Sequence, residues 1–207
     1  MKGLLRKDFY LIRATLPLAC LAMLVAGGCL SVLVSANVFL VIAPVVLGLV
    51  ALTTVNIDRH DGWNRLAATL PCGPARAIGG KYLLYLLLSL GGVLLGLLLA
   101  VAGSALLRGW GGETFGIFFA IGLALPLLSG AVGLPAAFLL GEDKNMLVMM
   151  FSYPLASALF VALVLAIDAV LPAALVLIGC SAAAYAASWL LAARLLPRAR
   201  PREKKKR

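Results

Sequence analysis

The ionisable side chains most closely grouped for chemistry lie around the single histidine, His60, which has Asp58 and Asp61 beside it. A histidine near carboxylates is a candidate general base or metal ligand. One such group in a loop supplies too few partners for either role, so we interpret His60 as a surface polar residue. We predict no catalytic residue, no metal site and no cofactor in this chain.

Nucleotide binding by a phosphate-binding loop would require the pattern GxxxxGK[ST]. The only Gly-Lys pair is Gly80-Lys81, with Ala75 at the position of the first glycine and Tyr82 at the final position. Because the pattern fails at both ends, we predict that this chain does not bind ATP phosphates by that mechanism and is not itself an enzyme.

The composition of the chain indicates what class of protein it is. Hydrophobic residues make up 63% of the 207 positions and charged residues 13%. The mean hydropathy is +1.08. Soluble domains have about 45–50% apolar and about 25% charged residues. One soluble core could not bury this much apolar surface, so we predict an integral membrane protein.

A helix needs about 20 apolar residues to cross the hydrocarbon of a bilayer. Six segments meet that length, and none contains Lys, Arg or Glu: about 14–35, 37–57, 82–107, 115–140, 147–171 and 173–193. We predict an all-α fold with six transmembrane helices in a single domain over residues 1–196. Asp168, near the end of the fifth span, is interpreted as a turn residue, and a re-entrant segment at 165–174 is the alternative.

The basic residues predict how the chain is oriented. Of its 18 Lys and Arg residues, all except Arg108 fall on one side of the predicted spans. Cytoplasmic loops carry such an excess, so we predict that both termini are cytoplasmic. We therefore interpret the net charge of +10 as a feature that favours membrane lipid as a partner, and we predict no nucleic-acid partner. Residues 197–207 form a predicted basic, disordered cytoplasmic tail.

Two cytoplasmic segments have the periodicity of amphipathic helices. In the first, apolar residues at i, i+4 and i+7 alternate with basic ones, which predicts a helix on the inner leaflet over residues 1–13; a simple orienting charge cluster is the alternative. In the second, Trp63, Leu66, Ala67 and Leu70 follow helical spacing, and Asp61 and Arg65 are placed for an ion pair. Such a helix between two spans suits docking on a soluble partner.

Motifs in these segments resemble a known family. The chain opens with MKGLLRKDFYL, has Asp58-Arg59 after the second span, and continues with Thr69-Leu70-Pro71 and Gly80-Lys81-Tyr82-Leu83. This pattern is similar to that of the permease subunits of ABC type-2 transporters, in particular the short bacterial group. The specific resemblance covers about the first 85 residues. One departure is Gly62, which weakens the start of the second amphipathic helix by about 1 kcal/mol relative to Ala.

The resemblance implies a cytoplasmic elbow helix over Lys2–Arg13 and a coupling helix over Asp58–Pro71 that contacts a separate ABC ATPase subunit. The elbow residues would be Lys2, Leu5, Arg6, Lys7, Phe9 and Ile12. The ATPase-coupling residues would be Asp58, Arg59, Asp61, Trp63, Arg65, Leu66 and Leu70. It also implies ATP and Mg in the partner subunit, a second permease in a homodimer or heterodimer, and a multi-pass location in the bacterial cell membrane.

The predicted spans lack the midplane ionisable groups that ion-driven carriers usually have. We therefore expect a separate ATPase to supply the energy for an exporter of an amphipathic or peptide-like substrate. Two alternatives remain open at this point: a non-transporting membrane scaffold or sensor subunit, and a membrane-embedded lipid-modifying enzyme.

Overall fold

The computed structural model describes residues 2–61, 74–107, 112–139, 142–167 and 170–195. Within these ranges the chain is helical, with seven α-helices, one short 3-10 helix at Ala36–Val38 and no strand. The helices are α1 (Lys2–Ile12), α2 (Leu16–Leu33), α3 (Phe39–His60), α4 (Pro74–Leu107), α5 (Gly112–Leu139), α6 (Glu142–Ile167) and α7 (Val170–Leu195).

Five stretches of these helices are long and apolar enough to cross a membrane: Leu16–Leu33, Ala36–Asp58, Ala77–Ala105, Thr114–Phe138 and Pro172–Arg194. They coincide with five of the six predicted spans. The other predicted span, 147–171, falls on α6 but includes residues outside the described ranges, so it remains a prediction. The same holds for the re-entrant alternative at 165–174, and the predicted tail at 197–207 lies wholly outside the described residues.

Short turns set the order of the first helices. Residues 13–15 join α1 to α2, and the Thr15 hydroxyl donates to the Ile12 carbonyl at 3.0 Å. Ser35 is extended, with φ −173° and ψ 158°, and the 3-10 helix then leads directly into α3. After these short connections α2 packs against α3, whereas α1 packs against α3 and α4.

Helix α3 is the centre of the bundle and packs against α2, α4 and α5, while α5 also packs against α6 and α7. The largest core cluster joins α3, α4, α5 and α7. It includes side chains that are almost fully buried, among them Leu52, Tyr82, Tyr85 and Leu134. The core therefore places the start of α4 firmly beside the end of α3.

Two glycines make the closest approach between α3 and α4. A Cβ atom on Gly92 would lie 2.5 Å from the Pro44 Cα, and one on Gly96 would lie 2.5 Å from the Phe39 carbonyl oxygen. These two positions, four residues apart, form what we call the glycine seam. Small residues at four-residue spacing let helix backbones approach closely, and the contacts of both glycines show that approach.

Candidate functional site

Four charged side chains meet where α1, the end of α3 and the beginning of α4 come together. They are Lys7 and Asp8 from α1, Asp58 from α3 and Lys81 from α4, and we call this group the charged junction. The group joins distant parts of the chain, and Asp8 and Lys81 are 73 positions apart. The short turn after α1 folds this helix back onto the α3–α4 pair and so brings them together.

Lys81 is at the centre of the charged junction. Its ammonium lies 2.8 Å from an Asp8 carboxylate oxygen and 2.7 Å from one of Asp58. It also donates to the Thr54 hydroxyl at 3.2 Å. Only 9% of the Lys81 side chain is exposed, against 4% of Asp8 and 8% of Asp58. A buried ammonium is tolerated because two carboxylates and a hydroxyl replace its water.

Lys7 closes the junction from its more accessible side. Its ammonium lies 2.5 Å from Asp58 and 3.4 Å from Asp8, and 27% of its side chain is exposed. Two ammonium groups thus share two carboxylates, and the four side chains together carry no net charge. Each ammonium reaches both carboxylates, so the group is a connected network and not two independent pairs.

Local helix geometry explains why these side chains face one another. Thr54 and Asp58 are four residues apart on α3 and therefore lie on one face of the helix. Asp8 and Ile12 have the same spacing on α1. Ile12 is 1% exposed and packs in a small apolar cluster with Val50 and Leu84. An ion-pair contact and an apolar contact one turn away together fix α1 against α3 and α4.

The charged junction brackets the segment predicted to contact an ATPase. Asp58 lies just before residues 62–73, which are outside the described ranges, and Lys81 lies shortly after them. The two residues that flank the segment, Asp58 and Lys81, are both ion-paired to the same helix, α1. Any displacement of the segment that moved α3 relative to α4 would therefore have to stretch or exchange contacts in the junction.

The predicted elbow residues divide between two environments. Lys7 joins the junction and Ile12 is buried, whereas Arg6 and Phe9 are exposed. The Arg6 guanidinium lies over the Tyr10 ring, 5.9 Å from its centroid. Lys2 and Leu5 lie within α1, but their side chains are not among those that the structure describes. A helix does occupy this segment, while its position on the inner leaflet remains a prediction.

The predicted coupling residues are only partly described. Asp58 is buried in the charged junction, and Arg59 and His60 are still part of α3. Asp61 is exposed, and its backbone N–H donates to the Ile57 carbonyl at 2.9 Å. The four other predicted contacts lie outside the described residues: Trp63, Arg65, Leu66 and Leu70. Their proposed role as an ATPase contact therefore stays a prediction.

Sequence reasoning missed Asp8, Thr54 and Lys81 as partners. From the sequence alone, Asp8 and Lys81 are members of the two motifs MKGLLRKDFYL and Gly80-Lys81-Tyr82-Leu83, and Lys81 is one of the basic residues that orient the chain. The available signal was the position of Asp58 and Lys81, charges of opposite sign that flank two uncharged apolar segments, where a buried charge needs a partner. Asp8 gives no such signal, because basic residues surround it in the sequence. Among the described residues, no group of three or more His, Cys, Asp or Glu side chains could hold a metal ion.

A second polar cluster lies among α4, α5 and α7 and contains hydroxyls instead of charges. Pro135 has no N–H to donate to the Ala131 carbonyl one turn earlier. The Ser188 hydroxyl donates to that carbonyl at 2.7 Å, and Tyr82 lies 2.9 Å from Ser188. The Tyr185 hydroxyl donates to the Tyr82 carbonyl at 2.7 Å. This hydroxyl cluster supplies the hydrogen bond that Pro135 cannot donate to the Ala131 carbonyl, and it links α5 and α7 to α4.

Comparison with known proteins gave one match. The protein-family model described as "ABC-2 family transporter protein" covers residues 3–196, which include both polar clusters. No curated protein and no solved structure matches the chain.

Proposed function

This chain belongs to the ABC-2 family of transporter membrane proteins, and on that premise we propose that it is the permease subunit of an ATP-driven exporter. Members of this family are membrane components of transporters and work with ABC ATPase subunits. The ATP and Mg would accordingly bind in the partner subunit. With five apolar helices long enough to span a bilayer, the chain is a multi-pass membrane protein.

The observation that carries the proposal is the charged junction. It connects both ends of the segment 62–73 to α1 through Asp58 and Lys81. In our proposal the ATPase binds that segment, and its closure on ATP displaces the end of α3 and the start of α4. Because Asp58 and Lys81 are both paired to α1, a displacement of either helix also moves α1 and reaches the transmembrane helices.

The shared contacts of the junction are compatible with movement of the helices relative to one another. Lys81 lies within 3 Å of both Asp8 and Asp58, so one contact can lengthen while the other holds the charge. An isolated buried pair would instead leave an unpaired charge when it opened, at a cost of about 3–5 kcal/mol. The network therefore permits a change of helix angle without a bare buried ion.

The distribution of basic residues supports a cytoplasmic position for the junction and for both termini. A second permease, identical or homologous, would complete the translocation path. The high apolar content supports an amphipathic or peptide-like substrate. These are parts of the proposal that follow from composition and from the family.

The experiment is purification of the tagged full chain from bacterial membranes in mild detergent, with and without Trp63→Ala and Leu66→Ala together. We expect the unaltered chain to retain an ABC ATPase subunit and the double variant to lose most of it. The matched control is Trp189→Ala with Leu190→Ala, an equally large apolar loss on the exposed surface of α7. Equal retention in the first variant, or equal loss in the control, would contradict the proposed contact.

A further inference from the structure

An apolar groove lies beside the charged junction, between α1 and the first three membrane helices. Its volume is about 510 Å³, and leucines from α2, α3 and α4 form most of its lining, with Phe9 at the α1 side. Leu87 and Leu95 are 53% and 37% exposed, so this face opens away from the bundle. Arg6 supplies a positive charge to the lining.

We propose that this groove is a binding site for one anionic phospholipid, with an acyl chain against the leucines and the headgroup phosphate at Arg6. The inference does not depend on transport or on an ATPase, since it requires only that these helices lie in a bilayer. A groove lined by leucine and open to lipid would be filled by hydrocarbon. The length of the groove and the charge at its end favour one particular class of lipid.

The length of the groove matches one leaflet. Its lining runs along α4 from Leu84 to Leu95, which at a rise of 1.5 Å per residue is about 16 Å. Half of the hydrocarbon thickness of a bilayer is about 15 Å. The contact between Asp8 and Lys81 holds α1 at the beginning of α4, so Arg6 lies at the end of the groove where a headgroup would be.

The charge at that end favours an anion. The charged junction is internally neutral, and Arg6 is not one of its members. The exposed Arg6 guanidinium lies 5.9 Å from the centroid of the Tyr10 ring, and no carboxylate within the described part of the chain forms an ion pair with it. A guanidinium binds phosphate oxygens in a two-pronged geometry. Phe9, at the same end, covers the first part of an acyl chain.

Gly91 allows the groove to be blocked without disturbing the fold. It lines the groove, and an added Cβ would meet nothing within 4 Å. A leucine at this position would therefore extend into the space proposed for the acyl chain. Gly179 on α7 is the matched control, because a Cβ there also meets nothing within 4 Å and the residue is outside the groove lining.

The test is native mass spectrometry of the full chain released from nanodiscs that contain equal parts of phosphatidylglycerol and phosphatidylcholine. We expect one retained phosphatidylglycerol per chain. Arg6→Gln should lower the preference for phosphatidylglycerol about fivefold, the effect of one basic side chain near an anionic headgroup. Gly91→Leu should remove retention of both lipids. Arg13→Gln, at an exposed residue outside the groove, and Gly179→Leu should leave retention unchanged.

Two results of the lipid measurement, and one of the oligomeric state, would overturn the proposal. One is undiminished lipid retention in Gly91→Leu, checked by monodisperse elution to be folded. The other is an unchanged preference for phosphatidylglycerol in Arg6→Gln, which would leave an apolar groove without headgroup recognition. If a second copy of the chain covers the groove, lipid-free dimers will appear and Gly91→Leu will dissociate them, and the lipid site is then wrong. ATPase recovery is a separate readout and does not enter this test.

Discussion

Helices α3 and α4 contact each other in two physically different ways along their length. Near the beginning of α3, the glycine seam brings the backbones together, with Gly92 and Gly96 against Pro44 and Phe39. Near the end of α3, side chains bridge the helices, and Lys81 reaches Asp58 and Thr54. The seam is held by shape alone, whereas the charged junction is held by directional contacts between ions.

The two contacts respond differently to movement. Interlocked backbones at the seam have no alternative partners, and any separation loses close packing at once. In the junction, two ammonium groups share two carboxylates, so partners can be exchanged as the helices shift. We therefore expect the seam to act as a fixed pivot and the junction as the end that moves. The following changes test that division.

The largest effect is expected at the seam, from Gly92→Leu. Even a Cβ at this position would lie 2.5 Å from the Pro44 Cα and 2.8 Å from the Pro44 nitrogen. The obstructing atoms are backbone and cannot rotate away, so the cost should exceed the about 1–3 kcal/mol typical of an overfilled core. We expect little monodisperse protein after detergent extraction, measured by fluorescence-detected size exclusion.

Gly91→Leu is the control for this change, because it adds the same side chain one residue earlier where a Cβ meets nothing within 4 Å. It should elute as the unaltered protein does. A normal yield of folded Gly92→Leu would show that α3 and α4 can separate at the seam. The glycine seam could then not be a fixed pivot.

The next effect in size is expected in the junction, from Lys81→Met. The change keeps the length of the side chain but leaves Asp8 and Asp58 buried with Lys7 as their shared counter-ion. Removal of one partner from a buried ion network costs about 3–5 kcal/mol, which should appear in equilibrium denaturation in detergent. Lys7→Met should cost less, because 27% of that side chain is exposed and water replaces part of the interaction.

A double change distinguishes a charge effect from a packing effect. Asp8→Asn with Lys81→Met removes one charge of each sign and leaves Lys7 paired with Asp58 at 2.5 Å. The double variant should therefore be more stable than Lys81→Met alone. If it is equally unstable or less stable, the two side chains matter for packing and the electrostatic account of the junction is wrong.

Periodicity and hydropathy predicted what depends on local sequence. Five predicted spans match apolar helices, and a helix does occupy the N-terminal segment. The small residues at 92 and 96 also lie at a close helix contact. In each case the residue pattern itself produces the structure, since a bilayer selects apolar length and close packing selects glycine.

The charged junction could not be predicted in this way. Asp8 and Lys81 are 73 positions apart, and no periodicity links residues on different helices. Asp58 was assigned to the beginning of a coupling helix, but α3 continues to His60. Asp58 therefore faces inward on the same side of α3 as Thr54. Where a transmembrane helix ends decides which of its charges are buried, and helix ends are the least certain part of a sequence-based assignment.

The smallest effect is expected in the hydroxyl cluster, from Ser188→Ala. The change removes the donor to the Ala131 carbonyl and the partner of the Tyr82 hydroxyl. Hydrogen bonds between membrane helices contribute about 0.6 kcal/mol on average and up to about 1.7. We expect a loss in that range by the same denaturation assay, well below the loss from Lys81→Met.

The cause of that loss can be tested with Pro135→Ala. This change supplies the N–H that Pro135 lacks, so the Ala131 carbonyl gains a donor within α5 and depends less on Ser188. Ser188→Ala should therefore cost less in the Pro135→Ala background than in the unaltered chain. Ser181→Ala is the control, because its hydroxyl donates to the Ile178 carbonyl of its own helix. Strictly additive costs for Ser188→Ala and Pro135→Ala would mean that the serine does not compensate for the proline.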